Sequence, residues 1–397
     1  MGKHAVQDYF PEETRSIDPC EPTRKIPGDE ERTPEPGMAL CLSGGGYRAM
    51  LFHLGALTRI NELGLLRNLK RVSSVSGGSI TAGLLGLKWQ RLIFDANGTA
   101  TNFADEVSEP VRRLAGVTID VGCILRGIFL PGSIADYLDH TYQDHLFGKA
   151  TLQAFPADEQ GPRFVINATN VGSGVLWRFS RPYMRDYRVG EVRNPTVLLA
   201  RAVAASSAFP PVLSPLSLNL KPFTFTPGSG KDLQFSPYTD QALLTDGGVY
   251  DNLGLETAWK RYKTILVSDG GGYLNTEGQP KRNWFSHTTR VLFMINNQVG
   301  ALRKRQVIRS YQDGVRSGAY WGIRTDIKDY GLTDAIDFPH QRSLALANVA
   351  TRLKALDQET QAGLVHWGYC VSDAALRKHV LLESGRAEDI MRSAPAS

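Results

Sequence analysis

The sequence predicts an α/β fold in which a parallel sheet is covered by helices. Three observations lead to it. Short apolar runs of strand type recur and end in glycine turns. The first two are followed directly by runs of helical periodicity. Two successive strand–turn–helix units then argue for parallel strands with crossover helices.

The first unit opens with "MALCL", suited to a buried strand. "RAMLFHLGALTRINELG" follows, with Leu51, Leu54, Leu57, Ile60 and Leu63 at helical spacing and Gly64 as a stop. The second pairs the strand "KRVSSV" with the helix "GGSITAGLLGLKWQRLI". Helical pieces occupy residues 96–160, together with an apolar stretch around Val121 to Leu130. "RFVINATNV" and "VLWRFSR" are predicted strands, and "TVLLARAVAASSAF" a helix ended by Pro210 and Pro211. "KPFTFTPGSGKDLQFSPYTDQ" reads as a surface loop and "TILVSDGGG" as a buried strand with a glycine turn. "RVLFMINNQVGALRKRQVIRSYQDG" is a long helix and "GAYWGIRTDI" a late strand. From His340 to about Leu382 the chain is mostly helical, with Leu344, Leu353, Leu356 and Leu364 as packing positions.

Composition narrows the function classes. Of 397 residues, 42% are hydrophobic and 21% charged, the balance of a soluble globular protein. A net charge of +5 without a long Lys/Arg block argues against a nucleic-acid partner and leaves a mild attraction to anionic lipid surfaces. Cys20, Cys41, Cys123 and Cys370 are scattered with no zinc spacing, so free thiols and a reducing compartment are expected. No signal-type leader, myristoylation pattern or run of about 18 apolar residues is present, so no spanning helix is expected. The expected organisation is a Pro-rich arm over 1–37, one catalytic domain over 38–383 and a tail over 384–397.

The chemistry lies in three glycine turns. "LCLSGGGYRAML" places Gly44, Gly45 and Gly46 between strand and helix, where free N–H groups and the helix dipole suit a phosphate or an oxyanion. Read as G-x-G-x-x-A it fits a dinucleotide fingerprint. That fingerprint also needs an acid at the end of the next strand, and "KRVSSV" ends in Ser76-Gly77-Gly78 instead. The second turn, "SVSGGS", has the layout of a nucleophile elbow centred on Ser76, with Ser74 at the first glycine position of the usual G-x-S-x-G. A serine N-cap is the structural alternative for Ser76, and Ser73, Ser74 and Ser79 are rival nucleophiles. The third turn, "LLTDGGVYDNLG", puts Asp246 before Gly247 and Gly248. Desolvation, or direct contact with the hydroxyl, would make it a usable base, whereas a plain Asp-Gly turn is its bland reading. Asp269 in "LVSDGGG" matches the same string. His53, His140, His145, His287, His340, His366 and His379 could each complete a triad, although none sits in a glycine-framed turn.

Taken in order, "SGGGYRA", "SVSGGS" and "DGGVYDN" resemble the patatin-like phospholipases, and "AVAASSAFPPVLSP" resembles the segment before their aspartate. The first loop is also similar to that of the group IV cytosolic phospholipases. The resemblance covers about residues 38–270. It implies a three-layer α/β/α domain with a mainly parallel sheet and a Ser-Asp dyad: Ser76 as nucleophile, Asp246 as proton acceptor, Gly44, Gly45 and Gly46 as the oxyanion loop, and Arg48 just after. Ser43 replaces the acid that often opens the patatin loop and Ser74 the first elbow glycine, so subfamily and substrate stay open. The expected substrate is a phospholipid, lysophospholipid or other acyl ester. No cofactor or metal is implied, and the expected location is cytoplasmic, with transient contact to membrane surfaces. A transacylase on the same dyad and a non-catalytic lipid or nucleotide binder are the alternative functions.

Overall fold

A computed structural model of the chain describes residues 33–119 and 134–381, apart from positions 212 and 275. The apolar stretch around Val121 to Leu130, most of the N-terminal arm, the tail, Cys20 and Cys123 lie outside the described residues. The strands are β1 (Glu35–Leu42), β2 (Leu69–Ser74), β3 (Arg163–Asn170), β4 (Val175–Phe179), β5 (Tyr183–Asp186), β6 (Gly190–Arg193), β7 (Leu216–Asn219), β8 (Gln241–Asp246), β9 (Tyr262–Asp269) and β10 (Ser317–Gly322). The helices are α1 (Gly46–Glu62), α2 (Gly77–Lys88), α3 (Glu109–Ala115), α4 (Ile134–Tyr142), α5 (Leu199–Ser206), α6 (Gly248–Asp251), α7 (Glu256–Trp259), α8 (Trp284–Gln312), α9 (His340–Ala347) and α10 (Gln358–Leu376).

Period-two alternation on β1 sets the layers. Leu40 and Leu42 join a large core with Met50, Leu54, Leu57 and Ile80 from α1 and α2, and Leu364 and Val371 from α10. Ala39 and Cys41 point the other way, into a smaller core with Leu255 and Ala258 near α7 and Val307 of α8. The sheet is thus enclosed by helices on both faces, the arrangement that buried parallel strands require. Gly55 and Gly368 let α1 and α10 cross backbone against backbone: a Cβ on either would run into a carbonyl of the other helix.

The sheet has a parallel half and an antiparallel half. Strands β10, β9, β1, β2 and β3 are parallel, and β3–β4, β4–β5, β5–β6, β3–β8 and β7–β8 pair antiparallel. One feature of this topology positions the site. On one edge of β3, Arg163–Ile166 pairs with β2 in parallel, and Ala168–Asn170 pairs with β8 in antiparallel. The other edge carries β4. Strands β2 and β8 therefore run toward each other along β3, and their C-terminal ends meet beside Asn167.

Candidate active site

Ser76 sits where β2 turns into α2. Its backbone has φ 51° and ψ −120°, a conformation that costs a non-glycine residue of order 1–3 kcal/mol and persists only where the surroundings enforce it. Its side chain makes no capping bond to α2, so the N-cap alternative fails. The rival hydroxyls are buried and engaged. Ser73 donates to the Gly254 carbonyl at 2.6 Å, Ser74 to the Val165 carbonyl at 3.3 Å, and Ser79 bonds the Ser74 and Ser206 hydroxyls at 3.0 and 2.9 Å. Ser76 alone of the four is partly exposed.

Asp246 ends β8, paired with Ala168, and is only 2% exposed. Burial pushes its carboxyl up to about 7, against hydrogen bonds from the Gly248 N–H, at 2.6 Å, and from the Ser76 side chain, which pull it down. Asp246 is thus part of an Asp-Gly turn and is at the same time a desolvated carboxyl. Asp269 has the opposite environment. Burial would raise it, but the Lys304 ammonium, the Tyr320 hydroxyl at 2.8 Å and the Gly271 N–H at 2.9 Å hold it down at about 2. A carboxylate fixed in its ionised form this firmly is a poor proton acceptor. His53 is fully buried. Its Nε2 lies 2.9 Å from the Ser43 carbonyl and its Nδ1 2.8 Å from the Ser268 hydroxyl, so it ties the end of β1 to that of β9. Burial lowers it to about 4, leaving it neutral.

The glycine loop packs on the elbow. A Cβ on Gly44 would lie 3.2 Å from that of Ser76, and one on Gly77 would strike the Gly46 carbonyl. Gly45 has φ +145°, open only to glycine, and a Cβ there would meet the Gly270 carbonyl oxygen at 2.8 Å. Gly44 departs from the sequence reading, because its N–H donates to the Asn252 carbonyl at 3.0 Å. The N–H groups of Gly45, Gly46 and Gly77 donate to no acceptor among the described residues. Arg48 is buried and held by carbonyls, Gly270 at 3.2 Å from Nε and Nη2, and Val349 at 2.5 Å from Nη1. It clamps the loop to the β9 turn. Gly78 packs on the carbonyls of Leu42 and Ser43, and Gly247 on that of Asn167, places where no side chain fits.

Sequence reasoning missed three residues that assemble the site. The Asn167 amide bonds the Ser73 hydroxyl at 3.0 Å and the Ser74 carbonyl at 2.9 Å. The Ser206 hydroxyl accepts the Ser76 N–H at 2.9 Å and donates to the Asn167 carbonyl at 2.6 Å. Thr169 caps the Asp246 carbonyl at 2.9 Å. Ser206 lies inside "AVAASSAFPPVLSP", so a signal was present; Asn167 and Thr169 sit on a strand with nothing to set them apart.

Fold and site together define a three-layer α/β/α protein in which a strained serine and a buried aspartate meet under a glycine loop. The family model described as patatin-like phospholipase matches residues 40–259, more than half of the chain and both turns of the pair. The chain belongs to that family. No curated protein sequence matches it. Among solved structures it is similar to human GIVD cytosolic phospholipase A2, with 13% identity, TM-score 0.54 and coverage of 90% of this chain and 62% of that one. It is also similar to the same human enzyme in complex with methyl gamma-linolenyl fluorophosphonate, with 15% identity, TM-score 0.50 and coverage of 90% and 59%. At these identities the likeness concerns the fold. The chain spans about three fifths of the length of those structures.

Proposed function

We propose that the protein hydrolyses carboxylic esters of lipids through an acyl-serine intermediate. Ser76 Oγ attacks the ester carbonyl while Asp246 takes its proton. The carbonyl oxygen becomes an oxyanion facing the N–H groups of Gly45 and Gly46, each worth about 3 kcal/mol to the transition state. Asp246 passes its proton to the departing alkoxide, leaving the acyl group on Ser76. Water then attacks the acyl-serine, Asp246 takes its proton, and the fatty acid departs as the proton returns to Ser76. Phospholipids and lysophospholipids are the substrate class the family suggests. The buried free thiols Cys41 and Cys370 support a reducing, cytoplasmic setting.

One observation carries this reading: a serine with φ 51° follows β2 and, at the facing end of β8, stands a buried carboxyl raised to about 7, near the pH at which it must accept a proton. The test is labelling with a fluorophosphonate probe and mapping the adduct. Modification of Ser76, with hydrolysis lost in a folded Ser76→Ala variant, is the expected result. Labelling at Ser74 or Ser79, or an active Ser76→Ala protein, would overturn it.

A further inference from the structure

Helix α8 has a composition that its position does not explain. It runs 29 residues, yet only Val307 and Ser310 are buried. Its C-terminal half is anchored: Arg303 pairs with Glu256 at 3.4 Å, Lys304 pairs with Asp269 at 2.5 Å, and the Tyr311 hydroxyl donates to the Ile265 carbonyl at 2.6 Å. The first two thirds turn an apolar stripe to solvent. Trp284 is 79% exposed, Ile295 57% and Leu302 59%, and Val291 and Met294 lie on the same outward face. At 100° per residue these five side chains fall within one third of the helix circumference. The same part contains Thr288, Thr289, Asn296, Asn297 and Gly300, which are weak helix formers. A stretch with neither propensity nor a buried face is a marginal helix in water and gains its stability from an apolar cover.

Charge identifies the cover. Helix α8 carries Arg290, Arg303, Lys304, Arg305 and Arg309 and no Asp or Glu; Arg290 pairs with Glu277 at 2.9 Å and Arg309 with Asp313 at 2.8 Å, so the excess positive charge lies on Arg305 and on Lys281 and Arg282 just before the helix. A cationic helix with an outward apolar stripe containing tryptophan has the make-up of an element that lies in the interface of an anionic bilayer. Its place in the fold agrees. Helix α8 touches α6, which begins just after the Asp246-Gly247 turn, and the Phe293 ring lies 5.4 Å from that of Phe209, just beyond α5.

We infer that the first two thirds of α8, through Trp284, Val291, Met294, Ile295 and Leu302, dock the protein on an anionic lipid surface beside the site. This deepens the ester-hydrolase reading and rests on it for its purpose, delivery of a lipid ester from the bilayer to Ser76. The binding itself is measured without turnover.

The experiment is flotation of the whole chain with phosphatidylcholine vesicles, with and without phosphatidylserine, read beside Trp284 emission and hydrolysis of a soluble short-chain ester. Expected are binding that needs phosphatidylserine and weakens with salt, a blue shift of Trp284 emission, and roughly tenfold or greater loss of binding in the Ile295→Asp/Leu302→Asp variant. That variant keeps its melting temperature and its soluble-ester turnover. Wild-type protein that turns over soluble ester but floats with neither vesicle overturns the docking inference and leaves the hydrolase reading standing. Vesicle binding without any turnover does the reverse. Two other occupants would also overturn it. A dimer in solution that the double variant dissociates would assign the stripe to a second copy. Trp284 emission already shielded without vesicles would assign it to another segment of this chain.

Discussion

At the scale of residues, two aspartates with the same local string are set apart by their surroundings. Asp246 is desolvated with two neutral donors, and Asp269 is desolvated with an ammonium and a phenol. Asp246→Asn removes the base, so turnover falls by several orders of magnitude. Its effect on stability has a definite sign. A folded carboxyl raised above its unfolded value of 3.8 to about 7 contributes stability that is full below 3.8 and lost as pH rises through 7. The wild type therefore loses a few kcal/mol across that window that the Asn variant does not. Melts at pH 5 and pH 8 (about those values, either side of 7) check it: the variant gains on the wild type at the higher pH. Turnover in the wild type rises with pH and reaches half its maximum near 7. Asp269→Asn acts oppositely. It leaves Lys304 without its carboxylate, lowers the melting temperature, and leaves the folded fraction active. An active Asp246→Asn protein beside an inactive, folded Asp269→Asn protein would exchange the two roles.

At the scale of elements, the site depends on how strand ends are tied. His53 links the last residues of β1 and β9 while staying neutral. His53→Ala opens a hole at that tie and takes the imidazole partner from the buried Ser268 hydroxyl, so the melting temperature drops. Turnover per folded molecule stays within about tenfold, far from the loss of a triad base. A folded His53→Ala protein with no turnover would point to a triad. The glycine loop is the other sensitive element. Gly45→Ala forces a Cβ into a φ of +145° and against Ala49 at 2.9 Å, a cost of about 1–3 kcal/mol with the oxyanion donors displaced. Phosphonate labelling should slow steeply. Gly278→Ala, with nothing within 4 Å of the new methyl, is the control and changes neither rate nor melting temperature.

At the scale of the whole molecule, the pair is made where the two halves of the sheet join. The parallel half delivers Ser76 on β2, and the antiparallel half delivers Asp246 on β8, 170 positions later, with β3 as the shared edge. A ligand attached there touches the glycine loop, the elbow and the β8 turn at once. A covalent phosphonate adduct on Ser76 should therefore raise the melting temperature by a few degrees, because it binds the folded state alone. Calorimetry of labelled and unlabelled protein checks this, with Ser76→Ala treated in parallel. An adduct that leaves the melt unchanged would mean that these elements do not enclose the site jointly.

The sequence by itself determined the strand–turn–helix units, because hydrophobic period and glycine punctuation are local properties. Thus β1, α1, β2 and α2 stand where the pattern puts them, although β1 starts at Glu35, ahead of "MALCL". It also marked Ser76 and Asp246 as residues in exceptional turns. Strands β5, β6 and β7 passed unnoticed, being four residues each and too short to show a period. Leu344 of the C-terminal region is only half-buried, and Leu346, two residues on, takes the buried place against α10. Only the tertiary structure sets the surroundings of Asp246 and Asp269 apart, because Lys304 and Tyr320 reach Asp269 from 35 and 51 positions away. It alone decided that the Gly44 N–H is engaged, that Asn167 and Ser206 hold the elbow, and that the apolar stripe of α8 faces outward. Burial, charge environment and hydrogen-bond partnership are set by neighbours distant in the chain, and periodicity along the chain does not encode them.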